Sequence, residues 1–173
     1  MPRVLGLSHV GIFVRDLQRS KEFYSRILGL HVTDENEWIV FLSAQPEREH
    51  HELALIAGRE APPGTAVVQQ ISFRVPSLAD LREYYQRIVA EGVPIQRQTT
   101  HGIALGLYFY DPDGNPVEVF WDTGIQWPQP FNAPLDFAKS EEEILAAHEA
   151  ALAAASPEAR TASASGRPTG VTA

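Results

Sequence analysis

The chain has 173 residues, a formal net charge of −8 and no cysteine, and 44% of its residues are hydrophobic. That is enough apolar material for one packed domain, or for two small modules sharing a core. The acidic balance speaks against nucleic acid or an anionic membrane as partner. The lack of cysteine rules out a disulfide framework, a thiolate zinc site and a cysteine nucleophile. Met1-Pro2-Arg3-Val4 lacks the apolar run of a signal peptide. No apolar stretch approaches the roughly 20 residues that cross a bilayer, so a cytoplasmic protein is expected.

The first element is a strand. Val10, Ile12 and Val14 share one face, and His9, Gly11 and Phe13 share the other. Such alternation puts one face on a core and leaves the other to line a cavity. A helical pattern through Phe23, Tyr24 and Ile27 follows, and Gly29 stands where a helix C-cap wants positive φ. Three strands are expected next, near 30–34, 37–43 and 51–57. His50-His51-Glu52 opens the last of these, and alternation alone leaves open which of His51 and Glu52 faces the cavity.

After Pro62-Pro63-Gly64 the same order returns. With an offset of 61 residues, Val14 matches Val75, Leu17 matches Leu78, Phe23 matches Tyr84, Tyr24 matches Tyr85 and Ile27 matches Ile88. A run of matches in the same strand-then-helix order indicates duplication. In this second copy Ile71, Phe73 and Val75 oppose Gln70, Ser72 and Arg74, so Gln70 is the repeat equivalent of His9. Gly92 is the second C-cap candidate. Strands are expected near 93–99, 104–110 and 116–121, with Asp111-Pro112-Asp113-Gly114-Asn115 as the turn between the last two.

Glu118 interrupts the apolar run Pro116-Val117-Glu118-Val119-Phe120-Trp121. A buried carboxylate needs a partner, whether a metal, an arginine or a backbone amide. Phe13 and Phe120 are candidates for the cavity rim, and Trp121 for the core. Beyond Trp121 lies an apolar, proline-rich arm, then a capping box at Ser140-Glu141-Glu142-Glu143 that opens a helix to about Ala154. The Ser-, Thr-, Gly- and Pro-rich end cannot bury enough apolar surface to order itself. The expected fold is α+β. Two tandem βαβββ modules, 5–58 and 66–121, form one domain over 1–121, a cupped and incomplete mixed barrel with outer helices. The arm and helix occupy 122–154 and a disordered tail 155–173.

His101, Leu107-Tyr108, Asp111-Pro112, Gly114 and Glu118 fit the pattern T-x-H-x5-L-Y-x2-D-P-x-G-x3-E, which starts at Thr99. It resembles the signature of type I extradiol ring-cleavage dioxygenases of the vicinal-oxygen-chelate superfamily. The Asp-Pro-x-Gly-x3-Glu part is common to that whole superfamily. His50-His51-Glu52-Leu53-Ala54-Leu55 and the arm Trp127-Pro128-Gln129-Pro130-Phe131-Asn132 are similar to its single-domain members, and the resemblance covers roughly residues 5–148. It implies His9, Gln70 and Glu118 as metal ligands, His51 as acid–base residue, and His101 and Tyr108 as substrate contacts. It implies a divalent metal, Fe(II) first, with Mn, Ni or Zn as alternatives. A small aromatic diol and dioxygen are the implied substrates and a homodimer the implied assembly.

The departure is Gln70, where the family places its second metal histidine. A neutral amide oxygen binds Fe(II) less firmly than imidazole. Glyoxalase I of some lineages uses glutamine there, together with a glutamate that Glu52 approximates. A glyoxalase-type isomerase or lyase, with Ni or Zn, is therefore one alternative. A metal-free small-molecule binding protein of the drug-resistance kind is another.

Overall fold

The computed structural model describes residues 3, 6–62, 65 and 67–155. From Ser156 on, the expected tail lies outside the described residues. The elements run β1 (Val10–Val14), α1 (Leu17–Leu28), β2 (His31–Glu35), β3 (Ile39–Ser43) and β4 (Leu53–Ala57). Then come β5 (Ile71–Val75), α2 (Leu78–Ala90), β6 (Ile95–Thr100), β7 (Ala104–Tyr110), β8 (Pro116–Asp122), β9 (Ala133–Pro134) and α3 (Glu141–Ala154).

Local chemistry sets the helix boundaries. The Asp16 side chain accepts from the Arg19 amide at 2.9 Å and so caps α1, and Gly29 ends it with φ at 73°. Ser77 caps α2, whose C-cap is Glu91, one residue before the expected Gly92. Ser140 and Glu143 form the capping box of α3.

The two modules share one topology. The strand orders are β1-β4-β3-β2 and β5-β8-β7-β6-β9, each mixed, with the first strand parallel to the last of its module. Among the described residues β1 and β5 do not pair, so no closed barrel forms. β9 is an addition from the arm. Thr99 pairs with Pro134 and Thr100 with Ala133, which lays the chain along the β6 edge.

One apolar cluster runs through both modules. Val14, Tyr24, Ile27 and Leu55 belong to it together with Leu81, Ile88, Leu107, Phe109 and Val117. Trp121 packs against this cluster, while Phe13 stays 60% exposed. The helices thus cover one face of each sheet and leave the other face to the polar residues.

The turn Asp111–Asn115 fastens the modules together. Buried Asp111 accepts from the Tyr24 hydroxyl at 2.9 Å and from the Asp113 and Asn115 amides. Asp113 binds the Arg15 guanidinium at 2.7 Å and its backbone amide at 2.9 Å. Arg59 donates to the Asn115 side chain at 2.7 Å. Burial, then the Asp111 charge, push the Tyr24 phenol far above its ordinary pKa, so it remains a donor.

Candidate active site

The polar face of the second sheet carries a row that crosses four strands. Ser72 stands opposite Glu118, Glu118 opposite Tyr108, and Tyr108 opposite Arg97. Residues paired in this way point to the same face. Glu118 is only 5% exposed. Its Oε2 accepts from the Ser72 hydroxyl at 2.5 Å and from the Gln70 amide at 3.0 Å. Gln70 also donates to Ser72 at 2.9 Å. Gly106 makes room for the other carboxylate oxygen, because a Cβ there would lie 2.6 Å from Oε1.

Tyr108 extends the network to His101. Its hydroxyl lies 3.0 Å from His101 Nε2, and His101 Nδ1 lies 2.8 Å from the Phe131 carbonyl. A carbonyl only accepts, so Nδ1 carries a proton and the lone pair of the neutral ring sits on Nε2, facing Tyr108. The arm clamps this histidine from the other side as well: Gln129 donates to its carbonyl at 2.6 Å. Trp127 lies over Gly102, where a Cβ would meet the ring at 2.6–2.7 Å. Burial, then the Glu118 carboxylate, push the Tyr108 phenol up to about 12, against the opposing pull of Arg97. Tyr108 is therefore a protonated donor at neutral pH. The Arg97 guanidinium stacks on its ring, 3.9 Å from the centroid.

The first module presents a different group. The rings of His9 and His51 are 4.4 Å apart, and His51 also packs on Phe41 at 4.6 Å. His50 Nδ1 lies 2.9 Å from His51 Nδ1. Burial, then the neighbouring His9 and His50, lower the His51 pKa, which favours a neutral ring able to accept a proton. Glu52 is tied elsewhere, its Oε2 accepting from the Ala44 amide at 2.9 Å.

A cavity of about 720 Å³ reaches His9 of the first module and Gln70 of the second. Its lining includes His9, Glu52, Gln70, Ser72 and Phe120. The structure thus bonds Gln70 to Glu118 and Tyr108 to His101, sets the two pairs side by side across β7 and β8, and gathers His9 and His51 into a second cluster. Ser72, Gly106 and the Phe131 carbonyl complete the site without standing out in the sequence reading. Ser72 alone left a signal, its place beside Gln70 on the polar face of β5.

The donor set can be tested against a divalent metal. Gln70 Nε2 is turned to Glu118, which leaves the amide carbonyl as its free ligating atom. His9 Nδ1 lies 3.2 Å from the Ser8 hydroxyl, which leaves Nε2 free. Among the described residues no three His, Asp or Glu side chains form a metal-binding group, so a three-residue set here has to include the glutamine oxygen. One imidazole and two oxygens with a single negative charge suit a divalent cation, held less firmly than by two imidazoles. The donors from Ser72 and Gln70 to Glu118 are of the kind that orient a ligating carboxylate. The residues fit such a metal.

Comparison with known proteins places this geometry. Residues 6–119 match the model of the Glyoxalase/Bleomycin resistance protein/Dioxygenase superfamily. Biphenyl-2,3-diol 1,2-dioxygenase 3 of Rhodococcus globerulus is 32% identical over 118 residues, 65% of this chain and 61% of the relative. A manganese-dependent 2,3-dihydroxybiphenyl 1,2-dioxygenase of Geobacillus genomosp. 3 is 27% identical over 117 residues, 66% of this chain and 36% of the relative. The chain therefore spans less than two thirds of either relative. The fosfomycin resistance protein FosX of Listeria monocytogenes superimposes with a TM-score of 0.57 at 23% identity, covering 70% of this chain and 96% of that one. That likeness shows the fold. By its family match and its paired βαβββ modules, the chain belongs to the Glyoxalase/Bleomycin resistance protein/Dioxygenase superfamily.

Proposed function

We propose that this protein is a metal-dependent extradiol-type dioxygenase that opens the ring of a catechol-like aromatic diol, with Fe(II) as the metal. The observation that supports it most is the row that sets Glu118 beside Tyr108 and bonds Tyr108 to His101, next to a cavity that His9 and Gln70 line. The dioxygenase names of the curated relatives support it further.

In this reading His9, Gln70 and Glu118 hold the metal. Bound there, it supplies the redox chemistry with dioxygen and acidifies the diol. The protein's own residues do the rest. Ser72 and Gln70 fix the Glu118 carboxylate. His51, kept neutral, accepts a proton from the diol. Tyr108 gives its one proton to His101, which Phe131 locks in one tautomer, and its hydroxyl lone pairs accept from the diol, so that the pair orients the ring. Phe120 gives the diol ring an apolar wall. A homodimer is part of the proposal, because the unpaired edges of β1 and β5 are open to a second copy.

A glyoxalase-type isomerase is the second reading, favoured by one observation: Glu52 shares the cavity with His9 and Gln70. Reconstitution with Fe(II) under anaerobic conditions, removal of excess metal, and addition of oxygen with a panel of catechols separates the two. Retained iron, oxygen uptake and a yellow ring-opened product are expected. Iron that washes out with no oxygen uptake sinks the dioxygenase reading. Turnover of a hemithioacetal without oxygen, on Ni or Zn, establishes the isomerase instead.

A further inference from the structure

We propose that Arg97 selects the substrate: the preferred ligand is a single-ring catechol carrying a carboxylate on the ring edge away from the diol. The inference rests on the diol reading of this site and adds its substrate class.

Arg97 stands on the site face as the last member of the row Ser72–Glu118–Tyr108–Arg97. Among the described residues it takes part in no ion pair. Arg74, on the same face, is by contrast paired with Asp122 at 2.7 Å. Glu118 does not use the Arg97 charge either, being bound by Ser72 and Gln70. The guanidinium carbon sits over the Tyr108 ring, 3.9 Å from its centroid. The ring contact restrains the guanidinium without using its charge, and an arginine so held can take a carboxylate through two parallel hydrogen bonds.

The spacing matches. Two strand separations, about 10 Å, lie between the Glu118 and Arg97 positions. The guanidinium reaches back over the Tyr108 ring and shortens that gap, so one aromatic ring spans it with its diol toward Glu118 and its carboxylate toward Arg97. The chain carries a net charge of −8 and repels anions at long range. An anionic ligand therefore needs a local cation, and Arg97 supplies it.

Calorimetry with the full chain, anaerobic and with Fe(II), tests this using 3,4-dihydroxybenzoate and 4-methylcatechol. The wild type is expected to bind the carboxylate about tenfold more tightly or better. Arg97→Gln brings the affinity ratio to one or below. Arg97→Lys, which keeps the charge without the fork, lies between. Thermal melts confirm that the exposed substitution leaves the fold intact. A wild-type ratio of one, or a ratio that Arg97→Gln leaves unchanged, overturns the assignment, as does binding of neither ligand. Oxygen uptake is measured separately. A carboxylate preference that Arg97→Gln abolishes, with no uptake, keeps Arg97 as the selector and removes the ring-cleavage reading alone.

Discussion

Module two presents Glu118 and Tyr108 from inside a hydrogen-bonded strand row, whereas module one presents His9 and His51 from the segments that flank its strands. Glu118 and Tyr108 are 5% and 3% exposed; Ser72 on β5 bonds the first and Arg97 on β6 covers the ring of the second. His9 is exposed and touches mainly its neighbours Ser8 and His51. The same βαβββ plan has therefore yielded one rigid wall and one adjustable wall. A carboxylate and a phenol held in place cost nothing further to order when a ligand arrives. Loop histidines have freedom to move toward that ligand.

The sharpest test of the contrast replaces a site residue on each wall. Glu118→Ala is expected to abolish metal retention and lower ring cleavage by at least about 10³-fold. It also leaves Gln70 and Ser72 without their acceptor, a stability loss of about 1–3 kcal/mol. His9→Ala is expected to release metal as well but to leave the melting temperature within a degree or two, since it removes no buried contact. Metal analysis after desalting and a thermal melt read both effects. Equal destabilisation by the two substitutions would contradict the division into a rigid and an adjustable wall.

The joint between the walls comes next. Asp111→Ala removes the acceptor for Tyr24, Asp113 and Asn115 at a buried site. A loss of about 3–4 kcal/mol in urea unfolding is expected, with both modules unfolding in one transition because they share a core. Two separate transitions would show that this turn, and not the shared core, holds them together. Gly106→Ala is smaller, about 1–3 kcal/mol. It acts on the rigid wall alone by forcing the Glu118 carboxylate aside, so its loss of activity should exceed that of an alanine placed elsewhere on β7.

Much of this was legible in the sequence. Alternation and turn residues located β7 at 104–110 and β8 to within one residue, because their apolar runs are bounded by strong turn signals. β4 begins at Leu53, so His51 lies outside the strand and reaches the His9 side although strict alternation could not place it. The arm's pairing as β9 was hidden because prolines mask a two-residue bridge that only tertiary docking creates. The bond from Ser72 to Glu118 depends on parallel register between strands 46 positions apart. Arg97 was obscured by the register shift between Ile95 and Arg97 in β6, which breaks the alternation that would have assigned its face.

The smallest expected effect concerns how the rigid wall is braced from outside. α3 reads as an exposed Ala-rich helix, yet His148 within it is 2% exposed and its Nδ1 lies 2.8 Å from the Thr100 hydroxyl, one residue from His101. Among the described residues its Nε2 is buried without a partner, and none of them stabilises a proton there. Burial accordingly lowers the His148 pKa, with Glu149 opposing weakly. A histidine whose folded pKa is depressed binds fewer protons folded than unfolded between the two values. Its contribution to stability is therefore complete above the unfolded pKa of about 6.5 and is lost as pH falls through that value toward the folded one. His148→Gln cannot take up a proton, so its melting temperature should fall less than that of the wild type between pH 7 and pH 5. Parallel curves for the two proteins would mean that folding does not depress the His148 pKa.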